Sequence, residues 1–162
     1  MKTILEIFYL RIMGERVRYQ RKKVSLSRKG SNPDELIWSR IRQEHSEPHE
    51  EDEEHEFIVH STSWRYERPG KIILTYAAYS DDLELENGKS KSIPLKSLRT
   101  IKKNTRKPRS QAELEKKVVS HAMRHIAFLI QTDKQSQFER ALTPDTVDVF
   151  EKLWVSLAGK VL

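Results

Sequence analysis

Residues 3–13 read Thr-Ile-Leu-Glu-Ile-Phe-Tyr-Leu-Arg-Ile-Met, and this stretch sets the architecture because it is apolar at both odd and even positions. β-Branched and aromatic residues favour a strand, and apolar side chains at both parities indicate that both faces of the strand are buried. Gly14-Glu15 permits a turn, so residues 17–26 are expected to return as a second strand. An N-terminal helix is the competing interpretation of the same residues.

The next signal predicts a helix. Asn32-Pro33-Asp34-Glu35 combines an N-cap residue, a proline at the first helical position and a glutamate at the capping-box position. We expect this helix to end near His45. Its apolar side consists of Ile37, Trp38 and Ile41.

Two hairpins are expected after this helix. Residues 57–67 and 71–79 are rich in aromatic and β-branched side chains and flank the turn sequence Arg68-Pro69-Gly70. This pattern predicts a hairpin, which we place at the centre of the sheet. Residues 83–86 and 90–95 flank Asn87-Gly88, which predicts a shorter hairpin with a type I′ turn at a sheet edge.

The carboxy-terminal third predicts two packed helices. Ser110-Gln-Ala-Glu113 is a capping box that opens a long helix to about Gln131, and Thr143-Pro144-Asp145 opens a last helix that ends near Gly159. The apolar face of the long helix consists of Leu114, Val118, Ala122, His125, Ile126 and Leu129. That of the last helix consists of Val147, Phe150, Trp154, Leu157 and Val161.

Together these elements predict one α+β domain over residues 1–162. A mainly antiparallel sheet of four to six strands packs against the two carboxy-terminal helices and one short helix, in two or three layers. The hydrophobic content of 36% and the charged content of 33% indicate a compact core surrounded by charge. Within the domain we expect an acidic loop at about residues 46–56 and a basic loop at about 99–109.

Composition also limits the cellular context. The chain has no cysteine, which excludes disulfides and thiolate metal sites and makes the cytoplasm the simplest location. Glu6 and Arg11 interrupt the apolar amino terminus, so it does not resemble a signal peptide. Without a stretch close to the roughly 20 apolar residues that cross a bilayer, we expect no membrane insertion.

The net charge of +6 is unevenly distributed, because residues 44–56 hold eight of the 24 acidic residues. Two basic blocks, residues 11–29 and 96–109, flank this acidic segment. Clustered cations favour an anionic partner, such as nucleic acid or a phosphorylated ligand, although an ordinary solvated face explains them as well. Of the aromatic residues only Tyr19 lies inside either block, and no known nucleic-acid-binding motif is present. The candidate contacts are Arg16, Arg18, Arg21, Lys22, Lys102, Lys103, Arg106 and Lys107.

A metal or haem site is a further candidate. His121 and His125 are one helical turn apart, a spacing that can chelate a transition metal, and His60 is the candidate third ligand. The first of the pair is not followed by the glutamate of the zinc protease motif. Because both histidines lie within the apolar stripe, core histidines with satisfied hydrogen bonds are the competing interpretation.

Signals for catalysis are weak. His60 and Ser61 are neighbours on a predicted strand and therefore point to opposite faces, which does not suit a nucleophile and its base. With five glycines, the chain contains neither phosphate-binding glycine motif, and we expect no catalytic residue and no cofactor. Trp38, Trp64 and Trp154 each lie in an apolar periodic segment and are expected to be core or partner-contact residues.

The order of elements over residues 24–101 is similar to the Nudix hydrolase fold. The strand Val24-Ser-Leu-Ser leads to Gly30 and the helix of residues 33–44, an antiparallel hairpin follows, and Ile93-Pro-Leu-Lys-Ser-Leu98 resembles the turn before the last helix of that family. The resemblance implies an α/β/α layering. Only Glu44 occupies a place comparable to the magnesium-binding glutamates, so it also implies that the hydrolase chemistry is lost.

We therefore expect a non-catalytic binding or regulatory protein that contacts a protein partner. Binding of nucleic acid or of a phosphorylated ligand by the basic residues is the first alternative, and metal or haem binding by the histidines is the second. The sequence leaves the oligomeric state open.

Overall fold

The computed structural model describes residues 1–26, 30–45, 57–86, 88–99, 107–132 and 141–157. Within these ranges the chain forms one α+β unit, and no helix is both long and apolar enough to cross a membrane. The elements in chain order are β1 (Lys2–Met13), β2 (Arg16–Ser25), α1 (Pro33–His45), β3 (Ile58–Glu67), β4 (Lys71–Tyr79), β5 (Lys91–Pro94), α2 (Leu95–Arg99), α3 (Gln111–Thr132) and α4 (Pro144–Leu157).

The five strands form one mixed sheet in the order β3-β4-β1-β2-β5. β1 runs parallel to β4 and antiparallel to β2, while β3 and β5 pair antiparallel with β4 and β2. Three of the four pairings are thus antiparallel, which confirms the predicted α+β class with a mainly antiparallel sheet. β3 and β5 form the two edges.

β1 is buried on both faces, as its apolar pattern predicts. Leu5, Ile7 and Tyr9 pack in the core beneath α1, whereas Phe8 and Leu10 pack in the core beneath α2, α3 and α4. The predicted pair of strands at the amino terminus is confirmed, and the alternative of an N-terminal helix is wrong. Helices cover both faces of the sheet, so the domain has three layers.

Local signals place the other element boundaries correctly. α1 begins at Pro33, and the Asn32 side-chain oxygen accepts a hydrogen bond from the Asp34 backbone N–H at 3.0 Å. The turn between β3 and β4 contains Gly70 with a φ of 62°, a conformation that favours glycine. α3 follows Ser110, whose hydroxyl oxygen accepts from the Glu113 N–H at 3.2 Å.

Two predictions about the hairpins are wrong. The β3–β4 hairpin forms, but β3 is an edge strand and β1 takes the central position. Residues 83–86 form no strand, and β5 pairs with β2 instead. Leu83 is buried beneath α1 and its carbonyl accepts a hydrogen bond from Arg11 Nη1 at 3.0 Å, so this segment covers the core instead of joining the sheet.

The buried face of α3 is rotated relative to the prediction. Leu114, Val118, His125 and Leu129 are only partly buried. Glu115 is part of the buried face, and its carboxylate accepts hydrogen bonds from the Tyr19 hydroxyl at 3.1 Å and from Lys91 Nζ at 2.9 Å. The buried residues are Glu115, Val119, Ser120, Ala122, Met123, Ile126 and Ala127.

The last helix, α4, packs on α3 through the buried residues Phe150 and Leu153. Gly159 and Val161, its predicted end and last apolar position, lie outside the described residues. So does the predicted acidic loop at 46–56. Of the predicted basic loop, residue 99 ends α2, and residues 107–109 form no helix or strand.

A fully buried carboxylate interrupts the apolar pattern of β1. Glu6 accepts hydrogen bonds from Arg65 Nη1 at 2.8 Å and from the Thr75 hydroxyl at 2.9 Å, and it also pairs with Arg21. Burial alone raises the pKa of this carboxyl, but Arg65 and Arg21 outweigh that effect and hold the pKa below its usual range. Arg21 of the neighbouring strand β2 and Arg65 of β3, which lies beyond β4 on the other side, therefore neutralise the charge that β1 places inside the sheet.

Glu6→Gln should destabilise the fold, because it removes the carboxylate that pairs with Arg21 and leaves Arg65 with Glu67 alone. We expect a loss of about 3 kcal/mol in the free energy of unfolding, measured by urea denaturation at neutral pH. Because the folded pKa lies below 4.5, the stabilisation is present above that pH and is lost as the pH falls further, so the two proteins should converge in acid. Glu84→Gln, at an exposed position, is the matched control; an equal loss in both variants would contradict the prediction.

Candidate functional site

A pocket of about 270 Å³ opens between α1 and the edge strand β3. α1 contributes two side chains that are one helical turn apart, β3 contributes its first residues, and β4 supplies an aromatic side chain. The lining residues are Asp34, Trp38, Val59, His60, Ser61 and Tyr76. The lining residues thus comprise one aspartate, one tryptophan, one tyrosine, one serine, one valine and one histidine.

The Asp34 carboxylate is held in place from the sheet. The Tyr76 hydroxyl donates a hydrogen bond to Asp34 Oδ1 at 2.6 Å, and the Tyr76 ring itself is buried. Burial, together with this hydrogen bond to a negative group, raises the pKa of Tyr76 above its usual range, so Tyr76 is a fixed donor at neutral pH. Sequence reasoning missed this site, although the spacing of Asp34 and Trp38 by four residues indicates a shared helix face.

Large aromatic side chains are exposed on α1 and on β3. Trp64 is 70% exposed and Tyr66 is 54% exposed, both on β3, while Trp38 of α1 is 36% exposed. Trp64 lies opposite Leu74, which packs on the α1 side of the sheet, so these aromatics share the pocket's face. Of the three tryptophans, Trp38 and Trp64 are exposed and are therefore not core residues, whereas Trp154 is partly buried against the core.

The rings of the three candidate histidines come together on the opposite face of β3, so His60, although it contributes to the pocket lining, directs its ring away from the pocket. The ring centroids of His121 and His125 are 4.5 Å apart, and those of His60 and His125 are 5.4 Å apart. His121 is exposed and His125 is half-buried, so neither is a core histidine. The spacing in the sequence therefore predicted a real cluster, which lies at the margin of the apolar stripe.

This cluster does not favour a metal site. His121 Nε2 lies 3.0 Å from the Thr62 carbonyl oxygen and must carry a proton to donate to it. This nitrogen is therefore not available as a metal ligand. Among the described residues, no group of three His, Cys, Asp or Glu side chains is arranged to hold a metal ion. The Thr62 carbonyl lies at a β-bulge between Ser61 and Ser63, which gives His121 a structural role at the edge of the sheet.

The predicted basic residues of β2 divide between the two faces of the sheet. Arg21 points to the face of α3 and binds Glu6, while Lys22 points to the face of α1 and lies 3.1 Å from Glu44. Both cations are therefore engaged by carboxylates. Lys107 is exposed, and Lys102, Lys103 and Arg106 lie outside the described residues.

Arg16 and Arg18 remain candidate contacts for an anionic partner, and the structure adds Arg11 to these two. Arg11 lies directly opposite Arg18 in the sheet register, on the face of α1. Their described hydrogen bonds go to neutral acceptors: Arg11 to a backbone carbonyl, Arg16 to Ser92, and Arg18 to Ser90. Within the described ranges, none of the three guanidinium groups forms an ion pair, so they make a cationic patch on one sheet face.

Comparisons with known proteins give no relative for this chain. No protein-family model matches it, and no curated protein or solved structure matches it. The resemblance to the Nudix fold therefore stays a prediction.

Acid should weaken the fold through the histidine cluster. Burial, with help from the neighbouring His121 and His60, lowers the pKa of His125 below 6.5. The unfolded chain therefore takes up this proton first as the pH falls, so stability is complete above about 6.5 and declines below it. His125→Gln should flatten the decline of unfolding free energy between neutral and mildly acidic pH; an unchanged slope would contradict this.

Proposed function

We propose that this chain is a non-catalytic binding protein whose protein partner docks as an extended segment on the face formed by α1 and the edge strand β3. The observation that carries the proposal is the exposure of Trp64, at 70%, on the same sheet face as the exposed Tyr66 and as Trp38, which lines the pocket. Aromatic side chains of this size are enriched in protein interfaces and are seldom exposed together without a partner. The pocket gives the same face a concave part.

The position of β3 supports an extended partner. An edge strand has unpaired backbone N–H and C=O groups, to which another extended chain can add. Side chains on β3 alternate between the two faces, so a chain lying beside it would present every second side chain to the aromatics and the pocket. The bulge at Ser61–Ser63 limits backbone pairing to one part of β3 at a time.

The chemistry of the described residues supports binding without catalysis. The resemblance to the Nudix fold implies a helix–sheet–helix layering of the kind seen here, and Glu44 is the residue in a comparable place to its metal-binding glutamates. The Glu44 carboxylate accepts from the Tyr9 hydroxyl at 2.9 Å and pairs with Lys22. We therefore propose a Nudix-like descendant that binds but does not hydrolyse, and turnover of nucleoside diphosphate compounds by the purified protein would contradict this.

Selection of random peptides on the immobilised chain tests the docking surface. Peptides that bind the native protein should lose about thirtyfold in affinity for Trp64→Ala, because an exposed aromatic at the centre of an interface acts as a hot spot. Removing so exposed a side chain should change the unfolding free energy by less than about 0.5 kcal/mol. Phe128→Ala removes an exposed aromatic from α3 and is the matched control. Peptides that bind Trp64→Ala as well as the native protein would refute the proposal.

Binding of an anionic polymer through Arg11, Arg16 and Arg18 is a second candidate, favoured by the absence of ion pairs for them within the described ranges. A filter-binding titration with a single-stranded oligonucleotide should then give an affinity that falls steeply as the salt concentration rises. Arg18→Gln should reduce the slope of log affinity against log salt concentration by about one, because one phosphate contact is lost. Lys23→Gln is the control, because Lys23 is exposed on the same strand but on the opposite face. Equal effects of the two variants would remove this candidate.

A further inference from the structure

The pocket between α1 and β3 has the size and walls for one side chain. Its volume of about 270 Å³ is slightly below that of pockets that enclose a drug-sized ligand. Val59 and Ser61 are two residues apart on β3 and face the same side, so together they form a wall along the strand. A docked extended chain would place one side chain here.

Asp34 determines the charge that this pocket accepts. Asp34 is the lining residue that carries a carboxylate, and its Oδ1 is oriented by the Tyr76 hydroxyl at 2.6 Å. His60 also lines the pocket, but its ring lies on the opposite face of β3, 5.4 Å from the His125 ring. Asp34 forms no ion pair with a described residue, which leaves Oδ2 available to a ligand. An entering apolar side chain would strip water from the carboxylate without replacing its hydrogen bonds, and an anion would be repelled.

Trp38 provides the complementary wall. It follows Asp34 by one helical turn, so the indole and the carboxylate lie side by side on the same face of α1. An indole face attracts a cation electrostatically, and a nearby carboxylate adds an ion pair to the same group. The apolar stem of a long cationic side chain would meanwhile pack against Val59.

We propose that this pocket binds a lysine or arginine side chain of the partner's extended segment. The inference rests on the proposed function, because it names the chemistry of the partner at the docking surface. Asp34 binds the cationic head, Trp38 stacks on it, and the Tyr76 hydroxyl fixes the carboxylate that receives it.

The direct test is a nuclear magnetic resonance titration of the full chain with N-acetyl-lysine methylamide, with N-acetyl-norleucine methylamide as the uncharged analogue. Saturable shifts are expected at the Trp38 indole N–H and at the backbone amides of Val59 and Ser61. The lysine compound should bind at least about tenfold more tightly than the norleucine compound, because only lysine makes the ion pair and the cation–π contact. Equal affinities, or the absence of saturable shifts at these positions, would overturn the inference.

Two variants locate the effect. Asp34→Asn should weaken binding of the lysine compound about threefold or more, and Trp38→Ala by a similar factor. Glu35→Gln is the matched control, since it removes the same charge from the next residue of α1, which does not line the pocket. An equal loss for Glu35→Gln and Asp34→Asn would show a general charge effect and would overturn the site.

The outcome separates the two proposals. If selected peptides bind the β3 surface but lack a required lysine or arginine, the docking surface stands and the cation pocket is wrong. If the lysine compound binds the pocket while no peptide depends on Trp64, the pocket stands and the docking of an extended partner is wrong.

Discussion

Strand β1 has to be covered on both of its faces, and the helical layers on either side provide that cover. Leu5, Ile7 and Tyr9 require α1, whereas Phe8 and Leu10 require the helices of the other layer. The pairing of β1 with both β2 and β4 also removes its edges from solvent. A charge in the middle of such a strand is tolerated only because Arg21 and Arg65 reach Glu6 from both sides.

Much of the fold could be predicted from local signals. The apolar run of residues 3–13, the capping residues before α1 and α3, and the turn at residues 68–70 all depend on a few neighbouring side chains, and the structure confirms each. The order of strands depends on pairings between distant residues, and there the prediction put the β3–β4 hairpin in the wrong place. The failed strand at 83–86 has the same origin, because the contact of Leu83 with Arg11 is not visible in the local pattern.

In the candidate sites, too, features set by local spacing could be predicted and features set by tertiary contacts could not. Helical spacing predicted that His121 and His125 are neighbours, and the structure also brings His60, the candidate third metal ligand, close to His125. The hydrogen bond between His121 and Thr62 depends on tertiary structure and could not be predicted. Alternation along β2 separates Arg18 from Arg21 in any strand, so that division was predictable once β2 was assigned. Which face of β3 stays uncovered was not predictable, because it depends on where α1 lies over the sheet; Trp64 and Tyr66 are exposed for that reason.

The bulge at Ser61–Ser63 has a consequence for the behaviour of the chain in concentrated solution. A long, flat edge strand can template the addition of identical copies, which leads to fibrils. Here His121 is hydrogen-bonded to the Thr62 carbonyl at the bulge of β3, so a neighbouring copy cannot pair with the whole strand in one register. The same irregularity that shortens the docking strip therefore protects the chain from self-templated aggregation.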